Sequence, residues 1–295
     1  MSVLMLFIDG IGIGEADESR NPFARFPSPF FSTCFKNEID GALPFSGRLT
    51  ATDATMDMPG LPQSATGQTA LLTGENAAKV MGRHHPGFPS VTLRRLLCEK
   101  SIFLKLEKGG KVATFANAFT PEYFAPANSR RISATTWSVK ASSFPFRMVQ
   151  PELWQGQALS HDLTNEFLNE LGVPAPVRTP EAAAEILSEI LHSVDFCLFE
   201  YFLTDRIGHN QDMAWAGREL DKLNRFLATL LPAVSLGQNT VILTSDHGNF
   251  EDLSEPTHTL NPVPTIVWGR HAAAAAGGIS RIEDVQRTIL NLLDS

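Results

Sequence analysis

Four short segments of this chain carry residue types that do chemistry. Phe7-Ile8-Asp9-Gly10 ends an apolar run in a carboxylate. Gly60-Leu-Pro-Gln-Ser64-Ala-Thr-Gly67-Gln68 sets a hydroxyl just ahead of a helical pattern, where backbone N–H groups and the helix dipole favour an anion. Thr204-Asp205-Arg-Ile-Gly-His209 spaces a carboxylate and an imidazole four residues apart, on one face of a helical turn, so that both can grip one ion. Ser245-Asp246-His247-Gly248-Asn249, with His258-Thr259 further on, puts two ionisable groups after an apolar run, where burial demands a charge partner or a metal. Taken singly, a turn-forming Asp-Gly or a helix-capping serine explains the weaker of these as well.

Together they offer three carboxylates (Asp9, Asp205, Asp246), three imidazoles (His209, His247, His258) and the Ser64 hydroxyl. Mixed oxygen and nitrogen ligands suit Mn²⁺ or Zn²⁺, and the lack of cysteine among them argues against a structural zinc site. Two divalent ions would bring four positive charges against three carboxylates, leaving about one to attract a phosphate. Gly10, Gly12 and Gly14 do not make a dinucleotide fingerprint, because Glu15 stands where the third glycine belongs and no helical pattern follows.

The elements that must position these groups follow from the pattern. Apolar runs at Val3–Ile8, 112–116, 194–201, Thr240–Thr244 and 263–268 predict fully buried parallel strands. Helical stripes lie between them at 67–80, 92–108, 181–192, 212–231 and 282–293. The alternation predicts an α/β fold with a mostly parallel central sheet and helices on both faces. In such sheets ligands bind outside the carboxyl ends of the strands, where the four segments fall. Residues 119–157 break the rhythm with Pro, Ser, Phe and Arg; they predict a small cap or loop insertion in a core formed by 1–118 and 158–295. Ala272–Ala276 reads as a short surface helix or loop. From the cap side, Arg83, His84, His85, Arg130 and Arg131 could reach a phosphate, although exposed solvated charges are the plainer reading. Gln68 and Asn249 could orient ligands or phosphate.

At 295 residues the chain can bury a large core, and 43 % apolar against 19 % charged residues is the balance of a globular enzyme. A net charge of −8 with no Lys/Arg run speaks against nucleic acid as a partner. No apolar run reaches the roughly 20 residues that span a bilayer, so no membrane partner is expected. Cys34, Cys98 and Cys197 are far apart, and an odd count without a leader favours a cytoplasmic protein. The oligomeric state is not legible.

Asp9-Gly, Ser64-Ala-Thr-Gly-Gln, Asp205-x-x-x-His209, Asp246-His247-Gly-Asn and His258-Thr, in that order, resemble the alkaline phosphatase superfamily. The nearest branch looks like that of cofactor-independent phosphoglycerate mutase and phosphopentomutase. The stretch from Ser245 through His258-Thr-Leu-Asn-Pro-Val-Pro264 is the most specific part; Gln68 stands where the mutases usually have His. The resemblance covers roughly residues 1–80 and 180–295. It implies one metal held by Asp9, Ser64, Asp246 and His247, and a second held by Asp205, His209 and His258. It also implies Ser64 as nucleophile toward a small phosphorylated substrate, through two in-line displacements. Only about 140 residues separate Ser64 from Asp205. A small cap shields water poorly, which favours phosphoester hydrolysis over the mutase's intramolecular transfer. Sulfate or phosphonate ester hydrolysis and a metal-binding scaffold without turnover are the remaining alternatives.

Overall fold

A computed structural model of the chain describes residues 1–36 and 41–294. Its strands are β1 (Val3–Ile8), β2 (Arg48–Thr52), β3 (Ala113–Phe115), β4 (Ala118–Phe119), β5 (Arg147–Met148), β6 (Phe196–Tyr201), β7 (Thr240–Thr244) and β8 (Val263–Gly269). Six of these form one sheet in the order β2-β8-β7-β1-β6-β3, while β4 and β5 pair separately. The strands β7, β1, β6 and β3 run parallel. β8, expected to be parallel, runs against both of its neighbours, β7 and β2. A buried apolar run such as Val263–Gly269 carries no mark of direction. The edge strand β2 escaped the sequence reading because Arg48-Leu-Thr-Ala-Thr52 is only partly buried and barely apolar.

The continuous apolar runs exist because both faces of the sheet are covered. Along β1, Leu4, Leu6 and Ile8 enter one core and Val3, Met5 and Phe7 the other, as the two-residue strand period requires. The first core is closed by the helices Pro180–His192 and Met213–Ala233. The second is closed by the helices Ser64–Thr73, Val91–Lys100, Ile102–Lys108, Ala134–Lys140 and Asp284–Asp294. Two predicted helices are each split. Gly74, at φ +70°, ends the helix that begins at Ser64, and a new one opens at Ala77. Ser101 ends one helix and caps the next by accepting from Phe103 N at 3.1 Å.

Residues 119–157 supply the helix Ala134–Lys140 to the second core, and Phe119, Tyr123, Arg131, Ser133 and Val149 to a cavity above the sheet. That cavity's wall continues through His161, Leu168, Leu171 and Val173.

Candidate metal centre

Adjacent parallel strands end side by side, and this brings distant residues together. Phe7 of β1 lies in register with Thr244 of β7, and Ile8 of β1 with Tyr201 of β6. Asp9 therefore emerges beside the Asp246-His247 corner on one side and the helix Leu203–Asn210, carrying Asp205 and His209, on the other. His258 arrives differently. It precedes the antiparallel β8, whose start lies at the same edge of the sheet as the ends of β7 and β1.

Two ligand clusters result. Asp9, Asp246 and His247 form one, and Asp205, His209 and His258 the other; within each, the donor atoms lie within 4.8 Å of one another. His247 Nε2 stands 3.5 Å from both Asp9 Oδ1 and Asp246 Oδ2. His209 Nε2 is 3.4 Å from Asp205 Oδ2, and His258 Nε2 is 3.6 Å from Asp205 Oδ1. The His247 and His258 rings stack with centroids 3.6 Å apart, joining the clusters. Ser64 Oγ lies 3.0 Å from His247 Nε2, at the start of its helix, where first-turn amides have no partners within the helix. Two close approaches allow this. A Cβ on Gly67 would come within 2.7 Å of Asp246 O, and one on Gly10, at φ +71°, within 2.8 Å of Asp205 Cβ.

The residues present fit divalent cations. Both Asp246 carboxylate oxygens, Asp9 Oδ1 and His247 Nδ1 are buried without a hydrogen-bond partner. Leaving an ionised carboxylate so costs several kcal/mol, which a coordinated cation removes. The outer groups point the same way. His258 Nδ1 sits 2.7 Å from Pro62 O and His209 Nδ1 3.0 Å from Pro256 O, so each ring donates there and turns Nε2 inward toward its cluster. Gln68 Nε2 donates to Asp9 Oδ2 at 3.2 Å, and Asn249 Nδ2 to Asp205 Oδ1 at 2.8 Å.

Electrostatics of the ion-free centre agree. Burial first, and the Asp205 carboxylate second, push Asp246 up to about 7. Asp9 is raised as well, by burial and then by Asp246. Burial brings His247 and His258 down to about 4, which keeps both rings neutral and able to ligate. Burial would raise Asp205 too, but the His209 hydrogen bond and the facing imidazoles outweigh it and hold the carboxyl low. The Asp205 bond in turn lifts His209 to about 9.

Three residues beside the centre were not singled out by sequence reasoning. Glu251 is buried and accepts from Asn249 N at 2.8 Å, Thr259 Oγ1 at 2.5 Å and Asn261 Nδ2 at 3.0 Å. It pins the loop that bridges Gly248 to Thr259 and so sets His258. Gly12 and Gly14, part of the triplet that did not make a dinucleotide fingerprint, are packed against Glu251. Glu200, the last residue but one of β6, stands near Asp9, receives a 2.8 Å bond from Thr135 Oγ1, and lies 3.7 Å from His161 Nε2. A charged residue inside an otherwise apolar strand, Phe-Cys-Leu-Phe-Glu200-Tyr, was the available signal; His161 had none. Of the candidate cations, Arg131 lines the cavity, joined by Arg206. His84 instead pairs with Met58 O at 3.1 Å. Glu251→Gln is expected to set an amide donor against three donors. It should cost about 1–3 kcal/mol of stability and weaken metal affinity about 10–100-fold, checked by thermal melts and metal titration.

Comparison with known proteins fits this geometry. Residues 170–294 match a family model described as the Metalloenzyme superfamily. A 121-residue stretch is 30 % identical to the 2,3-bisphosphoglycerate-independent phosphoglycerate mutase of Paracoccus denitrificans, covering 39 % of this chain and 24 % of that protein. The enzyme of that name from Dinoroseobacter shibae is 34 % identical over 127 residues, covering 39 % and 25 %. The chain thus aligns with about a quarter of the length of these curated relatives. Among solved structures, the PH0037 protein from Pyrococcus horikoshii matches with a TM-score of 0.60 at 16 % identity, over 99 % of this chain and 96 % of that one. Alkaline phosphatase from the Antarctic bacterium TAB5 matches with a TM-score of 0.50 at 13 % identity, over 99 % and 97 %. The phosphoglycerate mutase of Leishmania mexicana gives 0.50 at 14 %, over 99 % and 95 %. The chain thus shares its fold with these solved structures, and its C-terminal segment matches the Metalloenzyme superfamily. Over that stretch the chain is similar to 2,3-bisphosphoglycerate-independent phosphoglycerate mutases.

Proposed function

We propose that the chain is a two-metal phosphoesterase, hydrolysing a phosphate mono- or diester through a phosphoserine on Ser64. The observation that carries this reading is the convergence of one hydroxyl and two ligand clusters: Ser64 Oγ lies 3.0 Å from His247 Nε2, on a cavity wall shared with Asp9 and Asp205. Two divalent cations, Mn²⁺ or Zn²⁺, held by Asp9, Ser64, Asp246 and His247 and by Asp205, His209 and His258, would supply positive charge for the phosphoryl oxygens and acidify the adjacent hydroxyl. Ser64 Oγ forms a bond to phosphorus as the ester oxygen departs and leaves with a proton as the alcohol. Water then attacks the phosphorylated serine, freeing phosphate from a monoester or the remaining phosphomonoester from a diester, and restoring the hydroxyl. A phosphoryl group on Ser64 would sit at the start of the helix Ser64–Thr73, where first-turn amides favour its negative charge. Arg131 and Arg206, which line the cavity, add to that field.

A mutase is the second reading, favoured by the similarity of the C-terminal segment to phosphoglycerate mutases. The three unpaired cysteines suit a reducing, cytoplasmic setting, and no described helix is long and apolar enough to cross a membrane. The two activities separate on their products. With Mn²⁺ or Zn²⁺ and a phosphomonoester, hydrolysis is expected to release one phosphate per ester cleaved, and acid quenching should trap phosphate on Ser64. Transfer to a second substrate hydroxyl with little free phosphate would favour the mutase. Absence of metal-dependent turnover across a broad panel would favour a scaffold.

A further inference from the structure

The cavity above Ser64 has a volume of about 540 Å³, within the roughly 300–1,000 Å³ of small-molecule sites. Asp9, Ser64 and Asp205 form its reactive end. Much of the rest is apolar: Phe88, Phe119, Val149, Leu168, Leu171 and Val173. Phe119 is held by an aromatic cluster, with its ring 4.8 Å from Tyr123 and 5.6 Å from Phe146. Phe88 and Leu171 are 47 % and 62 % exposed, so large apolar side chains that line the cavity also meet water. Covering such surface is favourable in proportion to the apolar area removed from water.

Several polar groups on the wall are already engaged. Tyr123 Oη accepts from Ser133 N at 3.0 Å and lies 3.1 Å from Thr136 Oγ1. Ser133 Oγ lies 2.7 Å from Thr135 Oγ1, whose proton goes to Glu200. A polyol placed here would give up water for an apolar wall and for hydroxyls that bond one another.

From this we infer that the ester carries a bulky apolar alcohol, an aryl or branched alkyl group, rather than the polyol of a sugar or glycerate phosphate. The inference rests on the phosphoesterase reading and names the substrate class of that site. The reacting phosphate lies at Ser64, while the alcohol lies against Phe119, Val149 and Leu168 with Phe88 and Leu171 at its outer end.

The test compares benzyl phosphate and cyclohexylmethyl phosphate with glycerol 1-phosphate on the Mn²⁺- or Zn²⁺-loaded full chain. All three release aliphatic alcohols of similar leaving ability, so a difference reports recognition of the alcohol. The expected result is a kcat/KM at least about tenfold higher for the apolar esters, a lead that Leu171→Asp or Phe88→Ala removes by lowering the apolar esters more than glycerol 1-phosphate. Both positions are exposed, so neither substitution threatens the fold. A clear lead for benzyl over cyclohexylmethyl phosphate narrows the class to aryl, and the reverse to alkyl; either outcome supports the inference. Equal or faster turnover of glycerol 1-phosphate overturns it.

Calorimetry with benzylphosphonate and 2,3-dihydroxypropylphosphonate gives an answer that does not depend on turnover. Tighter binding of the benzyl compound, abolished by Leu171→Asp, supports the apolar-alcohol site even if no ester is cleaved, in which case only the phosphoesterase reading fails. Equal binding of the two phosphonates overturns the inference.

Discussion

Ser64→Ala is expected to lower kcat for phosphoester hydrolysis at least about 10³-fold and to abolish covalent phosphate on the chain after acid quenching. The effect should be confined to chemistry. Alanine is a good helix former at the first position of Ser64–Thr73, and the hydroxyl's recorded contact is with His247. Both ligand clusters keep all of their other donors, so metal-induced stabilisation should survive the substitution. Loss of turnover together with loss of metal binding would mean that Ser64 holds the centre together and is not simply its nucleophile. Undiminished turnover would mean direct attack by water, with Ser64 reduced to opening a helix. The measurements are phosphate release, mass spectrometry of the quenched protein and thermal melts with and without Mn²⁺ or Zn²⁺.

The parts legible in sequence were those whose burial leaves a strong local pattern. β1 and β7 are uninterrupted apolar runs, and their bounds follow directly from the residues. The convergence of Asp9, Asp205, His209, Asp246, His247 and His258 was legible because ionisable groups at the ends of such runs need a partner, and Asp205 and His209 share one face of a short helix. What stayed hidden depends on distant contacts. The direction of β8 is set by its pairing with β7 and β2, not by its own residues. Glu251 has no motif around it; its role arises only when Asn249, Thr259 and Asn261 fold around one carboxylate. The apolar wall combines Phe88, Phe119 and Leu171 from segments with no shared period.

Asp246→Asn should raise the thermal stability of the ion-free protein at pH 8 while removing most of the stabilisation that metal confers. The native carboxyl is fully buried, and its pKa rises from an ordinary 3.8 to about 7. Above pH 7 the folded ion-free chain therefore carries a charge it disfavours, and that penalty is relieved as pH falls through 7. His209 extends that slope to higher pH. Its folded value of about 9 exceeds the ordinary 6.5, so its contribution is full below 6.5 and lost as pH rises through 9. His247 and His258, at about 4, are neutral in both folded and unfolded chains above pH 7 and add little there. The folded ion-free chain thus binds more protons than the unfolded chain from about pH 6.5, where Asp246 still contributes, up to about pH 9, where His209 alone does, and its Tm should fall across that window. With metal the slope reverses, because ligands must shed protons to bind and affinity rises with pH. Metal at 100 times its Kd adds about 2.7 kcal/mol per site, enough to raise Tm by about 5 °C or more. Asparagine at 246 has no proton to lose and no charge to offer, so it should remove both the Asp246 share of the ion-free slope and the metal's gain at that cluster. If the variant instead destabilises the ion-free protein equally at pH 6 and pH 8, and added Mn²⁺ or Zn²⁺ still raises its Tm by the native amount, Asp246 is not a ligand.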